Sequence, residues 1–423
     1  MTTNSLNQAE RLKILASIKK LVPKHHINIA GIDYEAWKTF VDKQTPDLLA
    51  RNLQEFEDGV RSLLKELKTS HVAFYRERPD RLPPQHSVGA TLRKLTDSEP
   101  AKWMFLDVFE GGPAHIAGIK PGDLLLAIEH AECDASLPEF AVGQNYRISV
   151  SDFAAKSLRE VTVEIPFKKG TQDRPPIVEP KSPIHRMIAP GLGLLKVPYF
   201  PGPMGLAFGK ELDAAVADFK IQGCTRLIVD LRGNIGGGLG LAKLASYMCP
   251  GQLPIGQSLT PRRLRTGTGY QSSALPRVPM PQGRAALVTT FGRFAFKDKS
   301  IVLMTQSLGP QPFHGSTVVL INEWTNSAGE MVASFASQHR LATLVGVKTA
   351  GNVLGGTNLK LRGGYRLRIP VFGWYASTGE QIEGVGVSPD VTVCLEPEWL
   401  SKEIDNQMIE AIKLLEPPRV AQH

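Results

Sequence analysis

The chain has 423 residues, too many for one compact core and enough for two or three domains of ordinary size. Its residues are 42% apolar and 21% charged, with a formal net charge of +8, a globular balance that excludes disordered and collagen-like classes. No stretch approaches the roughly 18 consecutive apolar residues of a membrane span, so an integral membrane protein is not the expectation.

The first residues, MTTNSLNQAERLKILASIKK, lack an apolar run followed by a small-residue cleavage site. They read as the start of an amphipathic helix. A cytoplasmic location is the expectation, with an exported one left open. Residues 1–84 read as a helical region. In NLQEFEDGVRSLLKELKTSH the apolar residues Leu53, Phe56, Val60, Leu63, Leu64 and Leu67 recur at helical spacing, and the helix should end near Thr69 and Ser70. The charged, proline-rich stretch from Arg76 to His86 reads as a linker.

Residues 85–169 change texture to short apolar runs with turns. SVGATLRKL, WMFLDVF, DLLLAIE and VTVEIPF read as strands, and EGGPAHIAG as a turn opening a short helix. A second linker is expected over 170–190, centred on the prolines of Lys169 to Pro183. From Gly191 to about residue 400, strand and helix patterns alternate, which predicts an α/β domain with helices covering a sheet. Its first helix carries Leu206, Leu212, Ala215, Val216 and Phe219 on one face. LSKEIDNQMIEAIKLL reads as a closing helix within the tail, 401–423.

Two segments of the α/β part carry chemistry. In STVVLINEWTNSAGEMVASF, Ser327 sits where a helix follows a strand. The unpaired N–H groups of a first helical turn can hold an oxyanion beside a serine nucleophile, or Ser327 or Asn326 can simply cap the helix. In LIVDLRGNIGGGLG, no register fits a dinucleotide or phosphate loop. Gly236 and Gly237 can bring a backbone N–H close to a reacting oxygen, or can merely make a tight turn. The cysteines, Cys133, Cys224, Cys249 and Cys394, form no CxxC and are expected to be buried thiols. Without HExxH or clustered ligands, neither a metal nor a cofactor is expected. The basic cluster Arg262 to Arg265 is small, and no nucleic-acid-reading motif accompanies it.

DLRGNIGG, NEWTNSAGE, TLVGVKTAG and EGVGVSPD, in that order, resemble the catalytic domain of the C-terminal processing (tail-specific) serine peptidases. Upstream, VGATLRK and VFEGGPAHIAGIKPGDLLLAIE resemble the PDZ domain those peptidases carry. The resemblance covers roughly residues 30 to 395. It implies an α/β multidomain fold with an N-terminal helical region, a PDZ-like β domain and a catalytic domain of the crotonase-like type. It also implies a peptidase that cleaves peptides or unfolded proteins through an acyl-enzyme, with Ser327 as nucleophile.

One departure bears on the base. Where the bacterial processing peptidases have a lysine in a GKG-type turn, this chain reads AGNVLGG, with Asn352 at the lysine position. Lys348 is nearby in sequence but in another register. In the tricorn-type branch a histidine from the helical part is the base. SHVAFY, with Ser70 and His71, resembles that branch, and its glutamate should be Glu383, with Glu380 as the rival. The implied roles are Glu383 orienting His71, Ser70 assisting the carboxylate, and an oxyanion hole from Ala328 and Gly236 or Gly237. The other histidines, His25, His26, His115, His130, His185, His314 and His339, are read as ordinary surface or core residues. In the PDZ-like part, Val88, Gly89 and Ala90 lie where a carboxylate-binding loop is expected. The alternatives are an inactive relative that binds peptides or lipophilic ligands, a Ser–Lys peptidase using Lys348, and a scaffold. Homo-oligomerisation is left open.

Overall fold

The computed structural model describes residues 6–77, 81–95, 102–133, 136–153, 157–167, 178–202, 204–265, 274–279, 300–308 and 316–416. Residues 170–177 of the second predicted linker and His314 lie outside them, and the rest of that linker carries the strand Ile184–Ala189.

The N-terminal region forms helices Gln8–His25, Tyr34–Ala50 and Leu53–Lys65. Asn7 and Asn52 open two of them with capping boxes closed by Glu10 and Glu55, and Asp33 caps the third. Their apolar faces meet in one core that includes Ile14, Ile18, Trp37, Val41, Phe56, Val60 and Leu64. The third helix stops at Lys65, earlier than its spacing predicts, because Lys68 takes a positive φ of 50°. Leu67 nonetheless stays buried.

The region expected to be helical throughout also contributes a strand, Ala73–Arg76, paired antiparallel with Tyr365–Ala376 far along the chain. Phe74, Tyr365, Leu367 and Ile369 face the helices and belong to their core. Buried Glu57 accepts from Arg76 Nε at 2.8 Å and from the Tyr365 hydroxyl, fixing the helices to this strand pair. The stretch read as a linker carries a strand, Arg81–Leu82, and a helical turn, Pro84–Ser87.

Next comes an antiparallel sheet in the order Ala90–Leu95, Lys102–Val108, Leu124–Ile128, Asn145–Ser151, Leu158–Glu164. Alternate residues such as Tyr146, Ile148 and Val150 bury inward. The short helix Pro113–Ile116 follows the predicted glycine turn.

The α/β part has a sheet ordered Ile184–Ala189, Leu192–Lys196, Arg226–Asp230, Thr317–Ile321, Thr343–Gly346, Val391–Thr392. All pairs but the first are parallel. Helices Leu206–Ile221, Gly240–Tyr247 and Ala328–Gln338 cover one face and Asn406–Leu415 the other. Loops at the carboxyl ends of such strands are where a parallel sheet places a site, and here they hold 231–237 and 322–327. Leu206, predicted for the buried face, is exposed at the first turn. The predicted closing helix is split: Pro397–Leu400 is a separate turn, and Glu403 takes a positive φ before Asn406. Cys224 and Cys249 are buried as expected, but Cys394 is exposed and Cys133 half-buried.

A second sheet combines Ala73–Arg76, Gly355–Lys360, Tyr365–Ala376, Pro254–Leu259, Ile301–Met304 and Arg277–Pro279. The alternation pattern did not single out its longest strand, which carries Pro370 and interleaves Arg366 and Arg368 with apolar residues. Here the proline needs no donor, and its carbonyl accepts from Ile27 N at 2.8 Å.

Among the described residues no helix is long and apolar enough to cross a membrane.

Candidate active site

Ser327 ends the loop that follows the buried strand Thr317–Ile321 and starts helix Ala328–Gln338. Its backbone sits at φ 50°, ψ −111°, a conformation that costs a non-glycine residue on the order of 1–3 kcal/mol. The surroundings hold it there. Thr325 Oγ1 donates to Leu231 O at 2.8 Å, and Asn326 N donates to Asn234 O at 2.8 Å. Asn234 is fully buried and also accepts from Gly236 N at 2.8 Å. Gly236, at φ +87°, packs so closely that an added Cβ would lie 2.8 Å from Ser327 Cβ. Only glycine fits there.

Glu330 is the residue that sequence reasoning missed. Wholly buried under Ser327, it accepts from Ser327 N (3.0 Å), Asn352 N (2.8 Å), Gly351 N (2.6 Å) and Thr349 Oγ1 (2.7 Å). Burial raises its carboxyl above the ordinary value, and these four donors oppose that. It clamps the turn 349–352 against the serine. A glutamate three residues into the helix is a capping-box signal that the sequence does contain.

Two amides beside the serine have no acceptor among the described residues: Ala328 N and Gly237 N. Gly236 N is already committed to Asn234. Of the two glycines considered from the sequence, Gly237 therefore has the available donor.

His71 lies just before strand Ala73–Arg76, at φ +60°. Ser70 Oγ donates to Glu383 Oε2 at 2.9 Å and lies 2.8 Å from His71 Nδ1. Ser70 N adds a bond to Glu383 Oε1 at 2.7 Å, and Val353 N one to Oε2 at 2.9 Å. The expected direct pairing of Glu383 with His71 is thus replaced by a path through Ser70. A hydroxyl has one proton. With it on the carboxylate, the Nδ1–H of the ring must be the donor to Ser70, and Nε2 carries the lone pair. Burial, then the nearby Arg368 cation, lowers His71 from 6.5 to about 4, so the ring is neutral at pH 7.

Among the described residues no hydrogen bond joins Ser327 Oγ to His71. Glu383 is buried and Glu380 is exposed on its turn. Lys348 is exposed, with no hydrogen bond or ion pair among the described residues. Asn352 points to Asn326, its Nδ2 donating to Oδ1 at 2.9 Å.

His26 is buried: Nε2 lies 2.8 Å from Thr69 Oγ1 and Nδ1 2.9 Å from the Tyr34 hydroxyl. It holds the turn that carries Ser70 and His71. Burial lowers His26 and His86, like His71, from 6.5 to about 4. The unfolded chain takes up these protons near 6.5 and the folded one only near 4, so stability is present above 6.5 and is lost as pH falls through that window. The urea midpoint should drop between pH 6.5 and 4, and less steeply in His26→Gln. A midpoint constant from pH 7 to 4.5 would contradict this.

The small β unit touches the serine loop directly. Trp324 Nε1 donates to Leu92 O at 3.1 Å, Arg93 Nε to Glu323 Oε1 at 2.6 Å, and Asn322 Nδ2 to the buried Asp107 at 3.1 Å. Between them lies a cleft of about 390 Å³ lined by residues including Leu92, Trp324, Asn326 and Asn352. Val88, Gly89 and Ala90 are buried, and the amides of Val88 and Gly89 both donate to Pro84 O at 3.0 Å. The loop expected to offer them to a carboxylate has spent them internally.

A strained serine at a strand–helix junction, idle amides beside it and a hydroxyl-linked carboxylate and imidazole are the parts of a serine hydrolase. Residues 191–393, the α/β part of the chain, match the sequence model of peptidase family S41. A putative tricorn protease homolog 2 of Streptomyces coelicolor is 23% identical over 92% of the chain, which covers 31% of that protein. A carboxy-terminal-processing protease of Bartonella bacilliformis is 31% identical over 26% of the chain and 25% of its own length. The tricorn protease of Thermoplasma volcanium is 33% identical over 26% of the chain and 11% of its own length. The chain thus spans about a third or less of the length of these relatives. A putative S41 protease structure from Bacteroides fragilis shares the fold, with a TM-score of 0.58 at 16% identity over 94% of this chain and 96% of that one. The matched family model and these relatives are those of peptidases.

Proposed function

We propose that the chain is an endopeptidase that cleaves peptides or unfolded proteins through an acyl-enzyme. Ser327 attacks the scissile carbonyl, His71 Nε2 takes its proton and passes it to the leaving amine, and Glu383 holds the ring through Ser70. Ala328 and Gly237 supply the oxyanion amides. The observation that carries the reading is the Glu383–Ser70–His71 path, which fixes Nδ1 as the proton-bearing nitrogen and leaves Nε2 basic.

The β unit acts as a PDZ-type module that packs on the serine loop and walls the cleft. Its committed Val88 and Gly89 amides favour that role over tail capture at this loop. Because His71 is not bonded to Ser327, substrate binding draws the two together. The test is labelling by a serine-directed fluorophosphonate and digestion of casein. Wild type should do both and Ser327→Ala neither. Labelling that persists in Ser327→Ala, or a wild type inert in both assays but able to bind peptide, favours the binding-module reading.

A further inference from the structure

Arg366 and Arg368 leave strand Tyr365–Ala376 on the face opposite the helical core, since alternate residues share a side. Tyr75 is the cross-strand neighbour of Arg366, and Ala73 that of Arg368. The two arginines are not equivalent. Arg366 is buried and ion-paired with Glu77. Arg368 is half-buried and, among the described residues, has neither an ion pair nor a hydrogen bond. A guanidinium offers five donors, and those of Arg368 are committed to no protein group among the described residues.

Its direction matters. The register partner of Arg368 on the other flank is Asn358, yet its Nε lies 2.9 Å from the position of an added Cβ on Gly356. The side chain therefore runs back along strand Gly355–Lys360 toward Val353, whose N–H holds Glu383. Beside it, Asn358 Oδ1 is buried and has no hydrogen-bond partner. A peptide carries both missing partners: a carboxylate for the guanidinium and an N–H for the amide oxygen.

We propose that Arg368 binds a carboxylate of the peptide on the leaving-group side of the scissile bond, making it a specificity-determining residue. This deepens the peptidase reading and rests on it. The side follows from His71, which delivers its proton to the leaving amine, so a cation beside the imidazole meets the departing half. The charges agree. Arg368 disfavours the imidazolium that acylation requires. A bound carboxylate neutralises the guanidinium and removes that opposition, so it assists the step as well as binding.

The carboxylate has two sources, a free C-terminus or an Asp or Glu side chain, and the test separates them. Random octapeptides are made as free acids and as carboxamides, each with and without Asp and Glu, and cleavage is read by mass spectrometry. Wild type should favour one carboxylate-bearing set by about tenfold or more. The acid–amide pair assigns the preference to the terminus, and the acidic–neutral pair to a side chain. In Arg368→Gln that ratio should fall to near one, and Arg368→Lys should retain part of it. Equal cleavage of all sets by wild type, or an unchanged ratio in Arg368→Gln, overturns the proposal. The same peptides are titrated by anisotropy against the full chain carrying Ser327→Ala. Binding there reads the charge preference without turnover, so failure of the peptidase reading is told apart. Equal or absent binding of all sets also overturns the assignment.

Discussion

Replacing His71 with alanine is expected to lower kcat/KM on the order of 10⁴-fold, while Lys348→Ala stays within about twofold of wild type. The difference follows from where the two bases stand. Lys348 is exposed, with no bond to the serine loop among the described residues. His71 is tied through Ser70 to a buried carboxylate, in a tautomer that leaves Nε2 free to accept a proton. A neutral ring lowered to about 4 is ready as a base at pH 7 but weak. Its weakness is offset when the proton is in transit, because Glu383 then faces an imidazolium through one hydroxyl.

Ser70→Ala should therefore fall between the two, by about 10²-fold, since the ring survives but its tautomer and its link to the carboxylate do not. The acid limb of kcat/KM should lie well below pH 6.5. Near-full activity in His71→Ala, with loss in Lys348→Ala, would reassign the base to the lysine.

Motif order singled out Ser327, His71 and Glu383 as candidates, although they come from three distant parts of the chain. The letters did not show how they are joined. Ser70 stands between carboxylate and imidazole because a left-handed turn at His71 aims the ring, and such a turn leaves no periodic trace. The choice between Gly236 and Gly237 depended on which amide Asn234 consumes, a contact set only by the folded loop. His26 reads as an ordinary surface or core histidine, and its place beside Thr69 depends on a pairing across 43 residues. Strand Ala73–Arg76 looked like the end of a helical region because its partner lies nearly 300 positions away, beyond any local pattern. What periodicity did show was the α/β alternation, where each helix buries its own stripe.

Glu330→Ala should cost about 3–5 kcal/mol of stability and most of the activity, since several buried donors lose one shared acceptor. The residue never touches substrate, so the loss would arise from position. Ser327 N, Gly351 N, Asn352 N and Thr349 Oγ1 all converge on this carboxylate, and the bonds from Gly351 and Thr349 are buried. Gly351 is itself at φ +76°, with Gly386 N 2.8 Å from where its Cβ would be. Without the clamp, fewer contacts offset the strain at Ser327, and its backbone relaxes away from the φ of 50° that presents the hydroxyl.

Glu330→Gln supplies an acceptor at one position and a competing donor at the other, so about half the loss is expected, roughly 1–3 kcal/mol. Hydrogen exchange gives the specific readout. Protection of 326–331 and 349–353 should drop in both variants, while that of the β unit's inner strands stays unchanged. Unaltered exchange at Ser327, Gly351 and Asn352 in Glu330→Ala would show that the turn holds itself, and that the buried carboxylate serves neither the serine nor its loop.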